Sequence, residues 1–362
     1  MNKIVDDDPI KLTNDVIVAL QQRMDERLEP GDERRMVVEV VCGAIAGAQY
    51  SINAAALKKY YEYQDDDELD KSGQDKNCPR LEAISSTTAV TLTLPSIKGV
   101  DSVVPKGTRV TADGKVYFTI TEDVIIPKGA ASITALFYCT IPGLIGDGYA
   151  VGSIKTLTDG LSFAVNVSNT TVSSGGAERE SKDAYIKRLR LADSRNAAGS
   201  EEAYEFHARS SNVLIDDVKV IGESTSSVKI VLLMKSGRIP TAEELNTTKL
   251  YVSDKRRKAL NDHINVVGPT AVNYSVAATY FIPKERYAEE STLKSAIESA
   301  ALEYSAWQTT AIDRDINPDQ LRYFLVKAGA LKADIQNPVA ALVGNTQVAR
   351  ETSMNLIYGG LA

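Results

Sequence analysis

The segment Ser173–Leu189, SSGGAERESKDAYIKRL, constrains this chain most, because β-patterned sequence gives way there, across Gly175 and Gly176, to a charged amphipathic helix. Paired glycines permit backbone angles that a side chain forbids, so a hinge is expected at this point. Ser181 or Glu180 can satisfy the orphan amides that open the next helix. Further on, Gly199-Ser200-Glu201-Glu202 opens a second helix, with Ser200 as cap and two acids where the macrodipole favours them. The order is therefore a β-rich region, Gly-Gly, helix, Gly-Ser, helix, strand.

Upstream, residues 10–63 read as helices. Thr13 or Asn14 is the expected cap of the first, Pro30-Gly31 breaks it, and a longer helix runs from about Glu33. That longer helix is rich in small residues, Ala44, Ala46, Gly47, Ala48, Ala54, Ala55 and Ala56, and ends in the tyrosines Tyr60, Tyr61 and Tyr63. A soluble helix of this length is expected to bury two faces, so other parts of the chain or another subunit must cover it. The acidic run Asp65–Asp70 is expected to lead into a polar loop.

From about Thr87 to Thr171 the segments at 89–94, 115–120 and 131–138 are rich in β-branched and aromatic residues and are separated by Pro-Lys-Gly and Asp-Gly turns. Short strands with such turn chemistry point to a small antiparallel sandwich or barrel. After the helical pair, 213–220 and 228–234 read as a hairpin turning at Gly222-Glu223-Ser224, followed by a helix from Thr241 to about His263. Strict alternation at Val272, Tyr274, Val276, Ala278 and Tyr280 marks the clearest strand. A helix near 289–307 carries the stripe Ile297, Ala301, Tyr304, Trp307, and Asn317-Pro318 announces another, before closing strands near 331–335 and in the last fifteen residues. The fold class is α+β and multidomain: an N-terminal helical region (1–80), a β-sandwich or barrel-like domain (81–172), the Gly-Gly hinge with its helical pair (173–212), and an α+β domain (213–362).

Composition narrows function by exclusion. A net charge of −7 opposes general nucleic-acid binding, and the basic run Lys255–Lys258, expected on a helix face, is too small to reverse that sign. Cys42, Cys78 and Cys139 lie far apart, without the spacing of a disulfide framework or structural zinc. No secretory signal opens the sequence, so cytosolic synthesis is expected. The apolar run Met36–Ala48 contains Glu39 and falls short of the roughly 18 residues a bilayer span needs. No membrane span is expected.

Catalytic chemistry finds little purchase. His207 and His263 are the only histidines, and neither sits in a nucleophile context. Asp313–Asp319 places oxygen ligands at alternate positions as a calcium loop would, but Pro318 stands where glycine belongs and Phe324 where glutamate does. It reads as a loop and helix cap. Gly146-Asp147-Gly148 through Gly152 imitates a dinucleotide loop but precedes β sequence. At the Gly175-Gly176 turn, Glu178 and Glu180 would repel a phosphate. No catalytic residue, cofactor or metal is therefore assigned.

GGAERESKDAYIKRLR and the following GSEEAYEFHARSSNVLIDDVKV, taken with Gly107-Thr108, Asp113-Gly114 and Gly146-Asp147-Gly148, resemble the J-type baseplate wedge family of contractile-tailed phages and tailocins. The resemblance runs from about Leu81 to the C-terminus. It implies architectural roles for Gly175, Gly176, Glu180 and Arg188. It further implies a non-enzymatic wedge subunit of the virion's tail baseplate, assembled in the host cytoplasm into a ring around the tail hub and passing on the trigger for sheath contraction. The implied partners are further copies of itself, a smaller tail protein I-like wedge subunit, a lysozyme-like wedge or sheath-initiating protein, and the hub and fibre attachment proteins. Two other readings stay open: the baseplate of a tailocin or type VI-like secretion system, and an enzyme or sugar-binding module with a cleft in its β domain.

Overall fold

Sequence patterning of both helical and strand type is realised in the computed structural model, which describes residues 3–362 apart from 198 and 225. The chain divides into two compact units, Met1–Pro79 and Arg80–Ala362.

The first unit is helical. Helix α1 (Pro9–Met24) is capped by Asp8, whose carboxylate accepts from the amides of Ile10 (2.9 Å) and Lys11 (3.2 Å). The expected caps Thr13 and Asn14 lie inside the helix instead: Pro9 at the first helical position is pre-set in φ and lacks an N–H, so the helix starts there. Asp32 caps α2 (Glu33–Leu57), and Asp65 with Glu68 forms a capping box on α3 (Asp66–Asp75). The acidic run is thus a helix N-terminus rather than a loop, its carboxylates set against the positive end of the dipole. Helix α2 buries only Cys42 and Ala46, and leaves Met36, Val37, Val40, Val41 and Ile45 exposed. Within Met1–Pro79 the helix thus buries one narrow stripe. By length and composition α2 is apolar enough to cross a membrane, with a mean hydropathy of 1.4 over its best window, which the shorter Met36–Ala48 run had not suggested.

In the second unit the β-rich segment forms β1 (Thr87–Thr93), β2 (Ser102–Val104), β3 (Arg109–Thr111), β4 (Tyr117–Thr119), β5 (Val124–Ile126), β6 (Ser132–Cys139), β7 (Thr156–Leu157) and β8 (Asn166–Asn169). Among the described residues the order β7-β3-β4-β6-β1-β8 is antiparallel throughout and nearly closes into a barrel, with β2 and β5 as a separate ribbon. Alternation builds its core. Val90 and Leu92 of β1 point inward with Phe118, Phe137 and Ile154, while Thr91 points outward and meets the Thr134 hydroxyl at 2.8 Å.

Helices α4 (Lys182–Leu191) and α5 (Glu201–Ser211) follow, capped by Ser181 and Ser200. Next come β9 (Ile215–Ser224), β10 (Ser227–Met234), α6 (Ala242–Val252) and β11 (His263–Val267), with β10 antiparallel to β9 and parallel to β11. Gly222–Ser224 belong to β9, so the hairpin turns later than expected. Helix α6 also stops early. The Asp254 carboxylate accepts from the Arg256 amide (2.9 Å) and the Asp254 carbonyl from Arg257 (2.8 Å), and this local turn replaces helical bonding. The run Lys255–Lys258 is accordingly in a turn rather than on a helix, and His263 opens a strand.

The chain ends in β12 (Thr270–Ile282), α7 (Glu290–Thr309), α8 (Pro318–Lys327), β13 (Lys332–Asn337) and β14 (Gln347–Leu361). The sheet order is β13-β12-β14, with α7 packed against β14 and α8 against β13. Tyr274, Val276, Ala278 and Tyr280 of β12 are buried beneath Ile297, Ala301 and Tyr304 of α7, and Asn317 caps α8 as expected.

Candidate functional site at the Gly-Gly junction

The barrel hangs from a neck made by its own entering and leaving strands. Thr87 and Ser174 exchange backbone hydrogen bonds at 2.8 and 3.0 Å, and Ile84 and Ala177 do the same at 2.8 and 3.0 Å. The junction is therefore laced across, not the free hinge that two glycines suggest. The glycines act by different means. Gly175 adopts φ +87 with open space around its Cα, so its lack of a side chain serves the backbone angle. A Cβ on Gly176 would stand 2.4 Å from the Gly143 carbonyl and 2.5 Å from Ser86 Oγ, so its lack of a side chain serves packing.

Loop 143–148 holds the junction from the other side. The Gly176 amide donates to Asp147 Oδ1 (3.0 Å), the Leu144 amide to Glu178 Oε1 (2.9 Å), and the Gly148 amide to the Ser173 carbonyl (2.9 Å). The segment that imitated a dinucleotide loop thus receives the Gly-Gly turn, and its carboxylate is already engaged by protein. Buried Asn169 orders the rest of that loop, accepting from the Ile154 amide (2.9 Å) and donating to the carbonyls of Ala150 and Thr171, each at 2.9 Å.

On the helical side, Glu180 and Arg188 form a buried fork-to-fork ion pair, with Arg188 Nε to Glu180 Oε1 at 2.8 Å and Nη2 to Oε2 at 2.6 Å. Their side chains are only 5% and 3% exposed, so each charge depends on the other. The Leu81 amide donates to Glu180 Oε2 (3.0 Å), and Arg80 Nε to the Glu180 carbonyl (2.7 Å). Both guanidinium groups lie over the Tyr185 ring, 5.6 Å from its centroid for Arg80 and 5.4 Å for Arg188. Capping of α4 falls to Ser181, which leaves Glu180 for the pair. The four motif residues thus serve two adjoining contacts, Gly176 against Gly143, Ser86 and Asp147, after the positive-φ Gly175, and Glu180 with Arg188 against Arg80, Leu81 and Tyr185. Ser86, Gly143 and Asn169 take part unflagged by sequence, whereas Asp147 had been named within Gly146-Asp147-Gly148 and Leu81 only as the start of the resemblance.

The residues weighed for catalysis lie elsewhere. His207 is buried, its Nε2 lies 3.2 Å from the Arg195 carbonyl, and burial pushes its pKa below the ordinary imidazole value, which holds it neutral. His263 is exposed at the start of β11. Along the calcium-like segment, Asp313 pairs with Lys219 (2.9 Å), Asp315 accepts from the Val343 amide (2.8 Å) and Asn317 caps α8. Among the described residues no three His, Cys, Asp or Glu side chains converge as metal ligands. Geometry of this kind fixes orientation.

Comparison with known proteins falls on the same regions. The family model described as Baseplate J-like protein barrel domain matches residues 89–176, and the one described as Baseplate J-like central domain matches residues 196–268. Baseplate protein J of Escherichia phage P2 is 25% identical over 198 residues, covering 53% of this chain and 64% of that protein, less than two thirds of its length. A chain from the cryo-EM structure of the anti-feeding prophage (AFP) baseplate, 6-fold symmetrised, shares the fold at a TM-score of 0.50 and 9% identity, covering 94% of this chain and 90% of that one.

Proposed function

This chain belongs to the Baseplate J-like family, and from that premise we propose that it is a structural wedge subunit in the baseplate of a phage tail or a related contractile injection particle. The observation that carries the reading is the succession of barrel and central-domain matches in one chain, with the laced Gly-Gly neck at their join. A wedge must hold its modules in fixed mutual orientation while whole subunits move, and a neck closed by paired backbone bonds and a buried ion pair meets that requirement. Gly175, Gly176, Glu180 and Arg188 are architectural in this reading, and no catalytic step is assigned.

Helix α2 supplies the assembly surface. Its exposed apolar residues are covered by a second copy and by a smaller wedge partner in a ring around the tail hub, where large obligate interfaces replace an internal core. Rearrangement of wedges about one another then passes the trigger to the sheath by rigid-body motion.

Deletion of the gene in a particle-producing strain, with complementation, tests the proposal. Electron micrographs of the deletion lysate should lack baseplate-bearing contractile tails, and the wild-type gene should restore them with this chain present in the purified particles. Complete particles formed without the protein would overturn the reading.

A further inference from the structure

The central-domain match ends at residue 268, where Gly268-Pro269 joins β11 to the second three-stranded sheet. Two sheets joined by so short a link move against one another by default, unless a well-packed apolar interface holds them. Strand β10 decides between those cases. Ile230, Val231, Leu232, Leu233 and Met234 are all buried, so this middle strand of its sheet is covered on both faces.

Alternation sorts the two covers. Ile230, Leu232 and Met234 face the core that holds Tyr204 and Ala208 of α5 and Val252 of α6. Val231 and Leu233 face the other way. The ladder sets Lys219 and Val267 opposite Val231, and Asp217 opposite Leu233, so these five side chains share one face. Its cover comes from beyond residue 268. Ile312, in the loop after α7, and Val348, at the start of β14, form one buried cluster with Val231 and Leu233. Val348 and Ala349 belong to different clusters, so β14 serves both cores by alternation.

Polar groups key the rim of this seam. Asp217 Oδ1 accepts from Arg209 Nη2 of α5 (3.2 Å) and its Oδ2 from the Ile312 amide (3.0 Å), so one carboxylate spans the join. Lys219 pairs with Asp313 (2.9 Å), and the Arg350 guanidinium donates to the Gly237 carbonyl. Gly237 sits so close to the end of α7 that a Cβ there would stand 2.5 Å from the Thr309 carbonyl oxygen.

We infer that the α5–β11 region and the β12–β14 region are one mechanical body, with the second sheet serving as the outer cover of the first and no hinge working at Gly268-Pro269. Parting them would expose Val231, Leu233, Ile312 and Val348 to water together. The coupling stands whatever the chain assembles into. Its use, carrying a displacement of α5 undivided into the C-terminal sheet, rests on the wedge reading.

Urea unfolding of the full-length chain, followed by two local probes, tests the inference. Trp307 is the only tryptophan and reports the C-terminal side. A dye on Leu250→Cys, an exposed position of α6, reports the other side, since Cys42, Cys78 and Cys139 are buried. Both readings should share one midpoint. Leu233→Ala should lower both equally, by about 0.5 M urea or more, and Val348→Ala should do the same from the opposite side. Spin labels on Leu250→Cys and the exposed Tyr323→Cys of α8 should give one narrow distance distribution in the folded chain. Two midpoints in the wild type, a seam truncation felt only on its own side, or several distances between the labels would overturn the single body. Each of those failures leaves the particle assignment to the gene-deletion assay.

Discussion

Helices α2 and α7 are both long and both rich in alanine and aliphatic residues, yet the fold treats them in opposite ways. Helix α7 seats Leu293, Ile297, Ala300, Ala301 and Tyr304 in a core shared with β12 and α8, where the Tyr304 ring meets Phe324 at 6.1 Å and Tyr274 at 6.4 Å. Helix α2, longer and more apolar, leaves Val37, Val40 and Ile45 to solvent. The hydrophobic effect is the same for both, so the difference lies in what has been supplied to cover them: α7 finds its sheet within its own unit, and α2 does not find one in Met1–Pro79.

Truncation should divide the two helices sharply. Tyr304→Ala removes a fully buried ring and should cost about 3–5 kcal/mol in denaturant unfolding of the second unit. Ile45→Ala at an exposed site of α2 should cost no more than about 0.5 kcal/mol in the isolated chain. Comparable losses at the two sites would erase the contrast. Next in size is Arg188→Ala, which strands the Glu180 carboxylate in a buried site and should destabilise by about 3 kcal/mol in the same measurement. The glycines should then separate by mechanism: Gly176→Ala, which meets the Gly143 carbonyl, by about 2 kcal/mol, and Gly175→Ala, which meets only its own positive φ, by about 1 kcal/mol. If Gly175→Ala proved the worse of the two, the packing account of the neck would be wrong.

The smallest effect is a pH dependence confined to the self-sealed unit. Burial holds the His207 pKa below its ordinary value, so the unfolded chain takes up the proton first and stability rises with pH. That contribution is complete above about pH 6.5 and is lost as pH falls from there through the folded-state value. Thermal midpoints measured from neutral to mildly acidic pH should fall less in His207→Gln than in wild type. An identical fall in both would show that the ring titrates as it does in solvent.

What the sequence made legible follows from range. Caps at Ser181, Ser200, Thr241 and Asn317 bond amides two or three residues away, and the alternation at Tyr274–Tyr280 lies within one strand, so local reading reached them. Local reading also failed where two local signals competed. Asp8-Pro9 outweighed Thr13 and Asn14 as the start of α1, the capping box turned an acidic run into a helix, and Asp254 ended α6 before the basic run. The resemblance picked out Gly175, Gly176, Glu180 and Arg188, but not what they touch. Ser86, Gly143, Asp147 and Leu81 reach the junction only when the barrel closes, and no spacing along the chain encodes that contact. The missing cover of α2 was legible as a need, because a long apolar helix must be sealed by something.

Hydrogen–deuterium exchange of the Glu33–Leu57 segment, in the isolated chain and in the assembled particle, tests the central claim most directly. The account predicts strong added protection of α2 in the particle while the core face of α7 changes little. Equal protection of α2 in both states would contradict it.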